Sequence, residues 1–296
     1  MTKPTIGFIG LGLMGAAMVG RLQSLGYSLT VMGNVSRPRI DAAVAAGAVE
    51  ASSPRELAQS CDIVMLCMDT SASVESRMRG ENGVIKGLKN GAVVIDFGTS
   101  LPASTIALGN EVAAVGGTYL DAPLGRTPAQ AVDGLLNIMC SGDATAFEKV
   151  RPILEDLGEN IFHLGKLGSG NTVKLINNFF GMTTASAMAE AFAMADQAGV
   201  DRQDLYEVMS AGPLRSAMMD FVKAYGVDGD PSKLGFSIRN AAKDVGYYRQ
   251  MATDLETKSI MSTGTNEAFS GAVKQDMGDK MVSEMVDFFS HNLSQK

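Results

Sequence analysis

Histidine and cysteine are scarce in this chain. Histidine occurs twice, at His163 and His291, and cysteine three times, at Cys61, Cys67 and Cys140, with no C-x-x-C pair. That inventory argues against a histidine–cysteine metal site. The cysteines are odd in number, each within or beside an apolar run, and read as buried free thiols of a reducing cytoplasm. No stretch approaches the roughly 18 consecutive apolar residues of a membrane span. The opening "MTKPTIGFIGLGLMG" lacks the charged-then-apolar order and cleavage site of a secretory signal, so a cytoplasmic location is expected. Basic charge is also short: 25 Lys and Arg against 32 Asp and Glu leave a net charge of −7. No basic surface is available for nucleic acid or an anionic membrane, and any cation that meets an anionic substrate must be local. Acid–base chemistry falls to Lys, Asp, Glu, Tyr or Cys unless one of the two histidines is its centre.

What the chain does have is room for two domains, in 296 residues with the 46% apolar and 19% charged content of an ordinary globular protein. Short apolar runs, "TIGFIG" (5–10), "SLTVMG" (28–33), "DIVMLCM" (62–68) and "AVVIDFG" (92–98), alternate with amphipathic stretches such as Met14–Leu25 and Arg39–Ala46. Strand and helix in alternation predict an α/β domain with a mainly parallel sheet covered on both faces. "GTYLDAP" and "LLNIMCSG" read as two further strands of that sheet. From about Gly170 the pattern turns all-helical. "NTVKLINNFFGMTTASAMAEAFAMADQAG" predicts one long helix, buried on most sides and ended by Gly199. Further helices are expected at "DRQDLYEVMSAG", capped by Asp201, and around Ile238–Leu255 and Gly264–Phe289. The loose "GKLGSG" places the boundary near Gly165–Gly170, giving domains 1–165 and 166–296.

"GFIGLGLMG" holds Gly10-x-Gly12-x-x-Gly15 between an apolar strand and a helix. Gly10 allows the tight turn, Gly12 admits a pyrophosphate to the backbone, and Gly15 lets helix and strand pack closely. The helix start adds unpaired N–H groups and a positive dipole end. Residues Gly10, Leu11, Gly12, Leu13, Met14 and Gly15 are therefore the expected dinucleotide turn. An NAD site commonly ends its second strand with an acid for the ribose hydroxyls. Here "VMGNVSRPR" puts Gly33 there with no acid nearby, followed by Asn34, Ser36, Arg37 and Arg39, which suit a 2′-phosphate. The missing acid shifts the balance from NAD towards NADP.

In "GSGNTVKLINN" a helix starting near Asn171 sets Asn171, Lys174, Asn178 and Gly181 on one stripe, with Asn177 beside it. A lysine on a helix is ordinarily solvated. The turns that follow are almost uncharged until Glu190, however, and a lone cation on a buried helix needs an electronegative partner. A substrate oxygen serves, because a lysine beside a nicotinamide can protonate the alkoxide that hydride transfer creates.

On these residues the chain resembles the β-hydroxyacid dehydrogenases over its whole length. Their opening pattern matches "FIGLGLMGAAM", their substrate loop (Asp-Ala-Pro-Val-Ser-Gly-Gly) matches "DAPLGRT", their catalytic motif matches "GSGNTVKLINN", and their late Lys-Asp matches "AAKDVG". The resemblance implies a Rossmann domain, a long interdomain helix and an all-α C-terminal domain, assembled as a homodimer or homotetramer. It makes Lys174 the catalytic lysine and Asn178 the amide that orients the substrate. It places Met68, Thr99 and Lys243 against the cofactor. Two positions depart from the pattern: Asp69 stands for the usual proline and Gly98 for the serine before Thr99.

The third departure is Gly125-Arg126-Thr127 in place of Ser-Gly-Gly. Small donors fit a flat carboxylate, whereas a guanidinium adds a full charge and a fork suited to a larger oxyanion. "GRTPAQA" resembles the branch that reduces 3-sulfolactaldehyde to 2,3-dihydroxypropane-1-sulfonate, which implies that Arg126 and Thr127, with Asn177 or Asn178, hold the sulfonate. The plainer alternative is that Arg126 pairs with Asp121, Asp133 or solvent and only stiffens the loop. The expected activity is NAD(P)-dependent reduction of a short anionic C3 aldehyde. Its rivals are a carboxylate-type dehydrogenase acting on tartronate semialdehyde, succinic semialdehyde or 3-hydroxyisobutyrate, an imine reductase, and a non-catalytic nucleotide-binding module. Lys174 speaks against the last two.

Overall fold

The computed structural model describes residues 3–33 and 37–293. The chain divides into two compact units, residues 1–174 and 175–296. In the first unit the strands β1 (Ile6–Ile9), β2 (Leu29–Met32), β3 (Val49–Glu50), β4 (Ile63–Leu66), β5 (Val93–Asp96) and β6 (Thr118–Asp121) form one parallel sheet of order β3-β2-β1-β4-β5-β6. Every residue of β1, β4 and β5 is buried, as expected of central strands covered on both faces. One face packs on α1 (Leu13–Ser24), α2 (Pro38–Ala45) and the later α7 (Ala144–Leu157), through Met18, Leu22, Ile40, Val150 and Leu154. The other packs on α3 (Pro54–Ser60), α4 (Ser71–Met78) and α5 (Pro102–Ala114), through Leu57, Val74, Met78 and Leu108. The strand order reverses between β1 and β4. That is where the carboxyl ends of a doubly wound sheet open a crevice for a ligand.

"LLNIMCSG" does not join this sheet. It forms β8 (Leu136–Cys140) in a separate three-stranded sheet with β7 (Leu124–Gly125) and β9 (Gly158–His163), in the order β7-β8-β9. β7 runs antiparallel to β8, turned back by the short α6 (Pro128–Val132), and just past β8 Ser141 makes an isolated antiparallel bridge to Asp121 at the end of β6.

The long helix α8 spans Ser169–Ala198 and stops at Gly199, whose φ of +71° suits the left-handed end of a helix. It is less enclosed than expected. Val173, Ile176, Phe180 and Met194 are exposed along it, Phe180 by 73%. Around its later turns the second unit collects α9 (Arg202–Ser210), α10 (Ala217–Gly226), α11 (Ile238–Asp254), α12 (Met261–Lys274) and α13 (Met285–Leu293). Their core is built on Phe192, Val222, Ile238, Phe269 and Met285. Asp201 caps α9 by accepting from the N–H groups of Gln203 and Asp204. The expected helix over Gly264–Phe289 is two helices, α12 and α13. The segment between them turns back on α11, where the carbonyls of Gly278 and Lys280 accept from the N–H groups of Arg239 and Ile238. Those donors at a helix start need partners, so the break is imposed by a neighbouring helix and leaves little local signal.

Among the described residues no helix is long and apolar enough to cross a membrane, and no group of His, Cys, Asp and Glu is placed to hold a metal. Burial pushes the Cys67 and Cys140 thiols up to about 12, which removes them as nucleophiles. His163 stacks on Phe147 at 4.4 Å and bonds the Gly142 carbonyl, so that histidine is occupied structurally.

Candidate active site

The glycine turn between β1 and α1 is built as its spacing predicts. Gly10 has φ +98°, and a Cβ there would run into the Cys67 carbonyl. A Cβ on Gly15 would strike the Gly10 carbonyl, so the helix closes directly on the turn. Gly12 is different: a Cβ there meets no protein atom. Gly12 is also the N-cap of α1, with no side-chain cap and no acid in the first turn, whereas α3, α4 and α7 are capped by Ser53, Thr70 and Asp143. A helix start left open and uncharged suits a pyrophosphate. Leu13 is exposed at its edge and Leu11 is buried beneath it. Met68 and Gly98 close round the same strand ends: Met68 Sδ borders the missing Cβ of Gly10, and the Met68 carbonyl borders that of Gly98. Thr99 follows, partly exposed. These residues fit a dinucleotide.

No acid stands near Gly33 along the chain, but one stands near it in space. Glu50, on β3, lines an open cavity of about 340 Å³ with Met32, Gly33, Ala51 and Ser52. Its carboxylate takes both arms of the Arg37 guanidinium, at 2.6 and 3.0 Å, and Asp41 takes a third bond at 2.8 Å. The Arg37 bonds hold the Glu50 carboxyl below its usual range. Gly33 itself is required by packing, since a Cβ there would enter the Ile40 side chain. Asn34 and Ser36 lie outside the described residues.

Two buried carboxylates then organise the start of α8. Asp121, at the end of β6, accepts from the backbone N–H of Gly168 (2.9 Å) and Asn171 (2.7 Å) and from the Ser141 hydroxyl. It serves as the cap of α8, delivered from a strand 47 residues upstream of Gly168. Asn171 is fully buried and ties that helix start to the loop after β5, accepting from Ser100 N–H at 2.8 Å and donating to Thr105 Oγ1 at 3.2 Å. Asp96 holds the same loop, accepting from Gly98 N–H and the Ser100 hydroxyl. Thr99 and Lys174 are therefore carried by two segments that one polar network locks together. Nothing in the sequence marks Asp96 for this role, Asp121 stands out there only as a possible partner of Arg126, and helical spacing alone puts Asn171 on the same stripe as Lys174. Asn171 instead faces the first unit's interior, and Lys174 is partly exposed.

Burial raises the Asp96 carboxyl to about 6, and the charge of Asp121 adds to the effect. A group whose native pKa lies above its unfolded value of about 4 stabilises the fold below that value. The contribution is lost as pH rises through about 6, and here it amounts to about 3 kcal/mol. The variant Asp96→Asn lacks this titration. Its thermal midpoint relative to wild type is expected to climb between pH 4 and 7 and then level off. A difference independent of pH would show that the carboxyl is not the cause.

The loop expected to meet the substrate leaves β7 through Arg126, a non-glycine residue at φ +78°. Its Nη1 donates to the Leu135 carbonyl at 2.6 Å and to Glu159 Oε2 at 2.5 Å. Neither Asp121 nor Asp133 is its partner, and the side chain is only 26% exposed. Thr127 caps α6. Its hydroxyl accepts from Gln130 N–H, and the Gln130 side-chain oxygen accepts from Thr127 N–H. Gly125 sits opposite Asn137 in the small sheet, where a Cβ would crowd the Asn137 side chain.

In the second unit Asn178 is buried and donates to Asp244 Oδ2 at 2.6 Å, and Lys243 approaches Asp244 Oδ1 at 3.0 Å. Asn177, exposed beside them, donates to Asn178 Oδ1 at 3.3 Å. Asp244 thus joins the amide on α8 to the lysine on α11. Its signal in the sequence was its place in "AAKDVG", next to the lysine that was singled out.

Residues 5–165 match the family described as the NAD binding domain of 6-phosphogluconate dehydrogenase, and residues 168–289 match the NAD-binding region of NADP-dependent 3-hydroxyisobutyrate dehydrogenase. The chain is 33% identical to 2-hydroxy-3-oxopropionate reductase of Escherichia coli over 73% of each chain. It is 28% identical to 2-(hydroxymethyl)glutarate dehydrogenase of Eubacterium barkeri, over 95% of this chain and 93% of the other. The crystal structure of a 3-hydroxyisobutyrate dehydrogenase from Salmonella typhimurium superposes with a TM-score of 0.83 at 25% identity, covering 97% of this chain and all of that one. With the open dinucleotide turn and the doubly wound sheet that carries it, these matches place the chain in the β-hydroxyacid dehydrogenase family, the oxidoreductases that use NAD or NADP on the CH–OH group.

Proposed function

We propose that the protein reduces a short anionic C3 aldehyde, 3-sulfolactaldehyde, to 2,3-dihydroxypropane-1-sulfonate. The bound dinucleotide supplies hydride, and the chain supplies everything else. Residues Gly10–Gly15, Met68, Thr99 and Lys243 hold the cofactor. Gly125, Arg126 and Thr127, with Asn177 or Asn178, hold the sulfonate, and Asn178, steadied by Asp244, orients the substrate. Lys174 gives a proton from Nζ to the substrate oxygen, and in the oxidative direction the uncharged amine takes it back. The dinucleotide domain in this reading is 1–165 and the helical part 166–296.

The observation that carries the sulfonate is Arg126. An arginine at φ +78° occupies backbone that favours glycine, at a cost of order 1–3 kcal/mol. A residue kept under that strain points to a use for its side chain. Only Nη1 is engaged among the described residues, so the other edge of the fork remains for an oxyanion. The test is kcat/KM for 3-sulfolactaldehyde against its carboxylate analogue. A sulfonate preference of tenfold or more is expected, and parity or reversal refutes the assignment.

One observation favours a second reading, a carboxylate-type dehydrogenase: the relative at 33% identity is named for 2-hydroxy-3-oxopropionate. For assembly we propose a homodimer or homotetramer in the cytoplasm. The row Val173, Ile176, Phe180 and Met194 is supporting evidence, because it leaves apolar surface on α8 exposed to water.

A further inference from the structure

Two groups of opposite charge stand where the adenosine ribose of a dinucleotide is read in this fold, beyond the end of β2. Arg37 starts α2, and Glu50 comes from the edge strand β3, whose register sets Glu50 beside Val31 of β2. The pair is bidentate, and Asp41 adds a second carboxylate to the same guanidinium. Their local charge sums to −1, from one cation and two anions. Of the three, Glu50 lines the open cavity with Met32 and Gly33, and the Ser52 hydroxyl beside it is turned to Glu56. Within that cavity wall, among the described residues, Glu50 is the ionised group.

The two cofactors differ there by one substituent. A ribose 2′-hydroxyl donates well to a carboxylate. A 2′-phosphate approaches with close to two negative charges, meets Glu50 as a like charge, and finds an arginine already matched by Glu50 and Asp41. From these positions we infer that Glu50 is the determinant of dinucleotide choice in this chain, holding back the preference for NADPH that Arg37 alone would give. The inference rests on the family's dinucleotide binding and is independent of the sulfonate assignment.

The test is direct binding of NADPH and NADH to the purified enzyme, followed by the fluorescence of the reduced nicotinamide at low ionic strength, for wild type, Glu50→Gln and Arg37→Gln. Glu50→Gln is expected to tighten NADPH and to weaken NADH, moving the ratio of dissociation constants towards NADPH by tenfold or more. Arg37→Gln should move it the opposite way, and the Glu50→Gln shift should shrink as salt is raised. Equal changes for the two cofactors, or a ratio within twofold of wild type, would reduce Glu50 to a clamp on the sheet edge and overturn the inference. If wild type bound neither cofactor, the dinucleotide reading itself would fall, a separate outcome.

Discussion

Lys174→Ala is expected to lower kcat by about 10²–10⁴-fold, the range for removing a positioned proton donor, with a much smaller change in KM. The lysine lies in the second turn of α8, a helix whose start is capped by Asp121 and tied by Asn171 to the loop that carries Thr99. Its placement is therefore rigid at the backbone, and deleting the side chain should leave that network in place. Lys174→Arg separates the two roles open to the lysine. Arginine keeps the positive charge but does not give up its proton in a protein. If turnover needs a proton, the arginine variant stays as slow as the alanine one. If charge suffices, it recovers, and assigning proton donation to Lys174 is wrong. Steady-state kinetics at saturating cofactor decide between them.

For Arg126 the expected effect falls on KM. Removing a hydrogen bond to a charged group commonly costs about 1.5–3 kcal/mol, so Arg126→Ala should raise KM for the sulfonate aldehyde by roughly 10- to 100-fold. Its ion-pair partner does not complicate the result, because Glu159 is 53% exposed and water can take over its carboxylate. Arg126→Gly is the sharper experiment. Glycine accepts φ +78° without strain, so this variant should keep or gain thermal stability while losing affinity for the sulfonate. An arginine that only stiffened the loop would show the reverse: lower stability with KM unchanged. Thermal unfolding and KM measured on the same variant distinguish the two.

The positions of the glycine turn, the four apolar strands and the long helix were all legible in the chain. Each depends on contacts within a few residues: a strand's run of apolar side chains, a left-handed glycine after it, a helix's spacing of three and four. The helix pair α12–α13 reads as one because the segment between the two packs on the first turn of α11, about 40 residues upstream. "LLNIMC" was assigned to the wrong sheet because an apolar run carries no mark of which edge it will join. In the candidate site, lysine, amides and glycines were found by type and spacing. The roles of Asp96, Asp121 and Asp244 were not, since an acid in a sequence looks the same whether it faces water or caps a buried helix.

The amino-acid sequence alone determined the dinucleotide turn, the strand-and-helix alternation and the presence of one lysine on a sparsely charged helix, because these are local and periodic. Only the tertiary structure decided which charges meet. Sheet register brought Glu50 to Arg37 across 13 residues, loop closure brought Arg126 to Glu159 across 33, and the end of β6 brought Asp121 to Asn171 across 50. The physical reason is common to all three. Electrostatic pairing acts through space over a few ångströms, whereas sequence pattern reports the neighbours along the chain.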